Sequence, residues 1–237
     1  MSVELLNCDC MDFMADQPDD SFDLAIVDPP YGIGADKPSD KSKMVLQKNG
    51  NKLYQKDGNY EHKEWDSKPA DKKYFDELKR VSKNQIIFGV NYFDYYLGAG
   101  RLVWDKLNDH SDQSDCEVAY CSYNNRVDIV RYMWAGFMQG EMADKSVKKA
   151  NVQRGNKRLN ETRIHPTQKP ISLYNWIIRN YADTSDRILD THLGSGSSAI
   201  AAHYLQCRDF VGMEIDDDYY KAACKRFKAE TVQEMLF

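Results

Sequence analysis

A doubly wound α/β domain with a mostly parallel sheet is the fold this sequence predicts, on three observations. Strand-like apolar runs alternate with helical spacing along most of the 237 residues. Two of those runs end in a carboxylate, and one ends in a glycine turn, where open sheets of this kind keep their ligands. Hydrophobic residues form 42% of the chain, enough for a core on both faces of a sheet. One large domain, or one domain with an insert, is expected.

In chain order, Val3 to Leu6 reads as a short strand and Met11 to Ala15 as a helix. Phe22 to Asp28 is a buried strand with almost no polar interruption. Residues 32–69 lack an apolar period and are rich in Lys, Asn, Gly and Asp, which predicts a long mobile loop. Phe75, Leu78 and Val81 give Lys72 to Val81 a helical spacing, and Gln85 to Val90 reads as a strand. A short helix is expected around Tyr92 to Leu97, then strands at Arg101 to Trp104 and Glu117 to Ser122. Residues 124–163 lose periodicity, gain basic residues and carry Tyr132, Trp134 and Phe137 as surface-like aromatics, the composition of an inserted recognition segment. His165-Pro-Thr-Gln-Lys-Pro170 opens a helix from Ile171 to Tyr181, followed by strand, helix, strand and helix to Lys228. The expected organisation is therefore a first part over 1–123, the segment 124–163, and a last part over 164–237 that completes the same domain.

The net charge of −5 conceals two basic stretches. Lys37 to Lys56 holds six lysines and one acid, and Lys145 to Arg163 holds seven basic residues and one acid. Local excess of this kind suits a polyanion, because screening makes nearby charge count for more than the total. The six cysteines lack metal-ligand spacing and read as free thiols of a reducing compartment. His165 has no second ligand near it in sequence, so no metal is expected. MSVELLNCDC lacks the regions of a signal peptide, and no apolar run reaches the length of a membrane span, so the expected location is the cytoplasm.

Two motifs carry chemistry. Asp28-Pro29-Pro30-Tyr31 follows an apolar strand, and two prolines without N–H groups must end the ladder there. The result is a stiff hook that presents Asp28, proline-linked carbonyls and the Tyr31 ring at the sheet edge. Asp190-Thr-His-Leu-Gly194-Ser195-Gly196-Ser197 is a strand end, a tight glycine turn and a helix start, with Ser197 or a neighbour as the cap. Glu214 ends the next strand 18 residues past Gly196, where a carboxylate can accept from two ribose hydroxyls. The loop fits a dinucleotide or a nucleoside without phosphates such as S-adenosylmethionine. A dehydrogenase using NAD would leave the hook unexplained.

The DPPY hook and the glycine loop, in this order, resemble the β-group of DNA adenine-N6 and cytosine-N4 methyltransferases. Leu5 to Asp9 resembles the segment ahead of that family's DPPY strand, and HPTQKP its motif just before the cofactor loop. The resemblance implies a circularly permuted methyltransferase sheet with a short target-recognition insert. It implies S-adenosylmethionine as cofactor, double-stranded DNA as substrate, and base flipping, since the target amine is inaccessible in a stacked duplex. Catalytic roles fall on Asp28, Pro29, Pro30 and Tyr31. Asp9 is implied at the cofactor's adenine amine, Glu214 at its ribose, and Asp190, Gly194 and Gly196 along its methionine end, with Ser195 and Ser197 also cofactor-binding. Thr167 and Lys169 are implied near its amino-acid group, and His192 flat against it. Thr191-His192 departs from the family's usual Pro-Phe. DPPY rather than a serine-led motif favours adenine-N6 by family habit. A homodimer, and a restriction endonuclease as a separate protein, are also implied. The other readings are a cytosine-N4 enzyme, an RNA or protein amide methyltransferase, a NAD-dependent oxidoreductase and an inactive DNA-binding module.

Overall fold

The computed structural model describes residues 1–35, 44–46, 52–54, 63–108, 114–135, 138–140, 142–144, 149–150 and 160–233. Most of the expected loop 32–69, much of the segment 124–163 including Phe137, and most of both lysine-rich stretches lie outside the described residues.

The elements run β1 (Ser2–Leu6), α1 (Cys10–Ala15), β2 (Phe22–Val27), β3 (Met44–Leu46), β4 (Lys52–Tyr54), α2 (Lys72–Val81), β5 (Ser82–Phe88), β6 (Arg101–Asp105), β7 (Cys116–Cys121) and β8 (Val127–Arg131). They continue with β9 (Met133–Ala135), β10 (Met138–Gly140), β11 (Met142–Asp144), β12 (Lys149–Ala150), α3 (Ile171–Tyr181), β13 (Arg187–Asp190), α4 (Ser197–Tyr204), β14 (Asp209–Met213) and α5 (Asp217–Gln233). Among the described residues the main sheet has eight strands in the order β1-β14-β13-β2-β5-β7-β6-β8. The first five are mutually parallel. β7 runs antiparallel to both β5 and β6. The link from β6 to β7 is too short for a crossover helix, which leaves an antiparallel return as the available connection.

β2 shows why the sheet is buried on both sides. Leu24 and Ile26 pack into a cluster with Leu173 and Ile177 of α3 and Ile200 of α4. Ala25 and Val27, pointing the other way, join Met14 of α1 and Phe75 and Leu78 of α2. A run with apolar residues at successive positions is what a central strand of a doubly wound sheet requires.

Two expectations are corrected. The helix expected around Tyr92 to Leu97 is a single 3₁₀ turn at Val90–Tyr92, entered through Gly89 at φ 76° and left in an extended conformation at Phe93. Tyr132 and Trp134 are buried core residues rather than surface aromatics. The Trp134 indole N–H donates to the carbonyl of Gln168 at 2.8 Å, so this ring supports the HPTQKP turn. No helix among the described residues is long and apolar enough to cross a membrane.

Candidate active site

Parallel strands deliver their functional residues to one edge. Asp9 follows β1, Asp28 follows β2, the turn Thr191–Gly196 follows β13, and Glu214 follows β14. A cavity of about 330 Å3 opens there, bordered by Asp9, Asp28, Gly194 and Glu214.

The glycine loop is held from below. Asp190 is buried and accepts the backbone N–H of His192 at 3.0 Å and the Ser198 hydroxyl, so it shapes the loop without lining the cavity. Burial pushes its carboxyl up to about 7, against the hydrogen bonds from Ser198 and His192. Gly194 and Gly196 take φ values of 52° and 76°. A Cβ on Gly194 would project to within 3.9 Å of the His165 ring, into the space the loop leaves open. The α4 cap is Gly196 itself, with no side-chain cap; Ser197 is buried and accepts from Arg226 at 2.8 Å instead. Ser195 lines the cavity, while Gly196 and Ser197 lie behind it.

Glu214 touches the loop directly. Its Oε2 accepts the Gly194 N–H and its Oε1 the Asp216 N–H, both at 2.9 Å. Burial raises this carboxyl above the usual range despite those donors. Asp9 accepts the Met11 N–H at 2.7 Å as the cap of α1, with its side chain at the cavity wall. Thr191 bridges the Tyr74 hydroxyl at 2.6 Å and His192 Nδ1 at 2.9 Å. His192 and His165 both line the cavity, and burial takes both rings down to about 4, so both are neutral at physiological pH. Thr167 donates its backbone N–H to His165 Nδ1 at 3.3 Å.

At the hook, Asp28 and Pro30 face the cavity, whereas Pro29 and Tyr31 do not. The Tyr31 ring stacks on Tyr92 at 4.9 Å, and its hydroxyl donates to Asp28. Lys169, placed by the sequence reading at the cofactor's amino-acid group, lines the cavity but commits its ammonium to Asp28. Burial raises the Asp28 carboxyl, Lys169 opposes that rise, and Glu117 adds to it.

Several cavity residues escaped the sequence reading. Cys8 and Cys10 flank Asp9 at the wall, with burial pushing the Cys10 thiol up to about 12. Their signal was position, one residue either side of a predicted ligand. Gln168 lies inside HPTQKP, where it accepts the Ile164 N–H at 2.9 Å. Tyr219 and Tyr174 reach the cavity from helices and left no trace in the local pattern. Trp65, within the expected loop 32–69, also lines it. No group of histidines, cysteines and carboxylates among the described residues could hold a metal ion.

Comparison with known proteins bears on this arrangement. M.HinfI, a type II methyltransferase of Haemophilus influenzae, is 24% identical over 94% of this chain and 68% of its own length. The M1.HpyAVI–SAM complex shares the fold with a TM-score of 0.53 at 17% identity, over 94% of this chain and 99% of that one. The PvuII DNA methyltransferase, described as cytosine-N4-specific, does so with a TM-score of 0.53 at 14% identity, over 98% and 90%. Residues 101–225 match the N6_N4_Mtase family model, described as DNA methylase. More than half of the chain falls within that model, and on this match the protein belongs to the N6/N4 DNA methylase family.

Proposed function

We propose that this protein transfers the methyl group of S-adenosylmethionine to the exocyclic N6 amine of an adenine flipped out of double-stranded DNA. The observation that carries the reading is one cavity with Asp28 of the hook on one wall and the glycine loop with Glu214 on another. The donor set suits a nucleoside with an amino-acid tail. Glu214 offers a carboxylate to a ribose diol, Asp9 an acceptor to an adenine amine, and Gly194 the room a Cβ would take. When bound, the cofactor supplies a methyl group activated by a sulfonium.

The chain's own residues do the rest. An exocyclic amine is a weak nucleophile because its lone pair is delocalised into the base. Asp28, at the cavity, accepts from the amine and favours the pyramidal, nucleophilic nitrogen. Pro29 and Pro30 stiffen the hook that carries this acceptor, so the acceleration comes mainly from alignment rather than from a strong base. Tyr31, behind the cavity wall with its ring stacked on Tyr92 and its hydroxyl on Asp28, holds that carboxylate in place for the flipped base. Asp28 at the head of the motif favours adenine over cytosine by family habit.

The test is transfer of labelled methyl to unmethylated genomic DNA, followed by nucleoside mass analysis. The expected product is N6-methyldeoxyadenosine. Asp28→Ala is expected to abolish transfer while calorimetry shows S-adenosylhomocysteine still bound. Label in N4-methyldeoxycytidine would move the target to cytosine. No label in DNA with cofactor bound would direct the search to RNA and protein.

A further inference from the structure

Lys169 is almost fully buried, at 3% exposure, although it lies in a turn at the cavity edge. Its Nζ donates to Asp28 Oδ2 and lies 3.3 Å from the Tyr31 hydroxyl. The same ammonium is 3.1 Å from Glu117 Oε2, at the start of β7. Glu117 Oε1 in turn pairs with Lys106 at 2.7 Å. Asp28, Lys169, Glu117 and Lys106 thus form one chain of contacts with charges of alternating sign. The Phe88 ring, 4.7 Å from the ammonium, closes its remaining side.

A lysine buried alone would give up its proton. Burial works in that direction here, but Asp28 and Glu117 outweigh it and hold the Lys169 ammonium charged. Buried ion pairs contribute little net stability, because desolvation offsets their attraction. A lysine shared between two carboxylates makes more sense as a device for fixing one of them. Of the two, Asp28 borders the cavity and Glu117 does not.

We propose that Lys169 and Glu117 are positioning residues for methyl transfer: Glu117 fixes the Lys169 ammonium, which fixes the Asp28 carboxylate against the incoming amine. The proposal rests on the reading of Asp28 as the amine's acceptor. Asp28 is also faced by the Tyr31 hydroxyl, and Asp190 and Tyr174 lie within its electrostatic reach. Lys169 supplies the positive charge in that group.

Glu117→Gln keeps the shape and an acceptor for Lys106 while removing the negative charge. It is expected to lower kcat by about tenfold or more through misalignment of Asp28, with S-adenosylhomocysteine affinity held within about twofold. Its kcat–pH profile should lose activity at lower pH than the unmodified protein, because Asp28 ionises more readily without a second carboxylate nearby. Lys169→Met should move the same limb to higher pH. Carbon-13 NMR of labelled aspartate carboxyls, with Asp28 assigned through Asp28→Asn, should show the same opposite movements without turnover. Unchanged kcat and pH profile in Glu117→Gln would overturn the proposal. So would a Lys169→Met variant whose cofactor affinity falls as far as its activity, which would make Lys169 a cofactor ligand. If Lys169→Met does not fold, Glu117→Gln decides by itself. If the unmodified protein methylates no DNA but the two variants still move the Asp28 carboxyl in opposite directions, the coupling stands and only the DNA reading falls.

Discussion

A Cβ built on Gly89 falls 2.0 Å from Cε1 of Tyr31 and 2.5 Å from Cδ1, well inside van der Waals contact. The obstructing atoms belong to a ring that is stacked on Tyr92, bonded to Asp28 and unable to swing aside cheaply. Gly89 also sits at φ 76°, where an L-residue carries a cost of about 1–2 kcal/mol before any contact is counted. Gly89→Ala is therefore expected to cost about 2 kcal/mol or more in urea unfolding. Its kcat should fall by about tenfold or more, with S-adenosylhomocysteine affinity unchanged, because the displaced ring carries Asp28 with it. Full activity in this variant would show that the placement of Tyr31 does not matter to transfer. The sequence hints at the position, since Phe88-Gly89 closes a strand, but the identity of the clashing ring is visible only in three dimensions.

The 3₁₀ turn Glu64–Asp66 holds the hook from outside it. Asp66, 1% exposed, accepts the backbone N–H groups of Tyr31 at 2.7 Å, Gly32 at 2.8 Å and Ala35 at 2.7 Å. These are donors that the two prolines leave without a ladder partner. Asp66→Ala strands all three, and its expected cost is about 2–4 kcal/mol. Hydrogen exchange at Tyr31 and Gly32 should accelerate in the variant, and protection equal to that of the unmodified protein would remove Asp66 from the hook's support. This turn marks the boundary of what the sequence discloses. Phe22–Val27 is legible as a central strand because both faces are apolar; Asp28 and Glu214 are legible as site residues because each follows an apolar strand, and Asp9 only through the family resemblance of Leu5 to Asp9. The antiparallel β7 and the clamp by Asp66 are not. They depend on contacts between remote positions, 35 residues apart for Asp66 and Tyr31 and 141 for Lys169 and Asp28. No local period records contacts of that kind.

Across the molecule, Glu161 joins parts that the chain order keeps far apart. Its Oε1 accepts the Ile171 N–H at the start of α3 at 3.0 Å, and its Oε2 accepts from Arg226 of α5 at 2.8 Å. Arg226 continues inward to the Ser195 carbonyl at 2.9 Å and the Ser197 hydroxyl at 2.8 Å, at the base of the glycine loop. The end of the segment 124–163 is thus tied to the cofactor side through one partly buried carboxylate. Burial pushes that carboxyl up to about 7 from 4.5, although Arg226 and the Ile171 N–H pull the other way. Burial likewise lowers the Arg226 guanidinium despite Glu161, so on both partners desolvation outweighs the pairing. A carboxyl raised on folding makes the folded state bind its proton more tightly than the unfolded state does. Stability from this group is then greatest below pH 4.5 and declines as pH rises toward 7. Between pH 5 and 8 the decline amounts to roughly 2 kcal/mol. Glu161→Gln preserves the uncharged shape at every pH and should remove that share of the slope. The measurement is the urea unfolding free energy of both proteins at pH 5 and pH 8. The Glu161→Gln variant should gain on the unmodified protein as pH rises, by roughly those 2 kcal/mol between the two conditions. Equal slopes would mean that Glu161 stays ionised throughout, and that the tie between the segment's end and the cofactor loop is an ion pair at all these pH values.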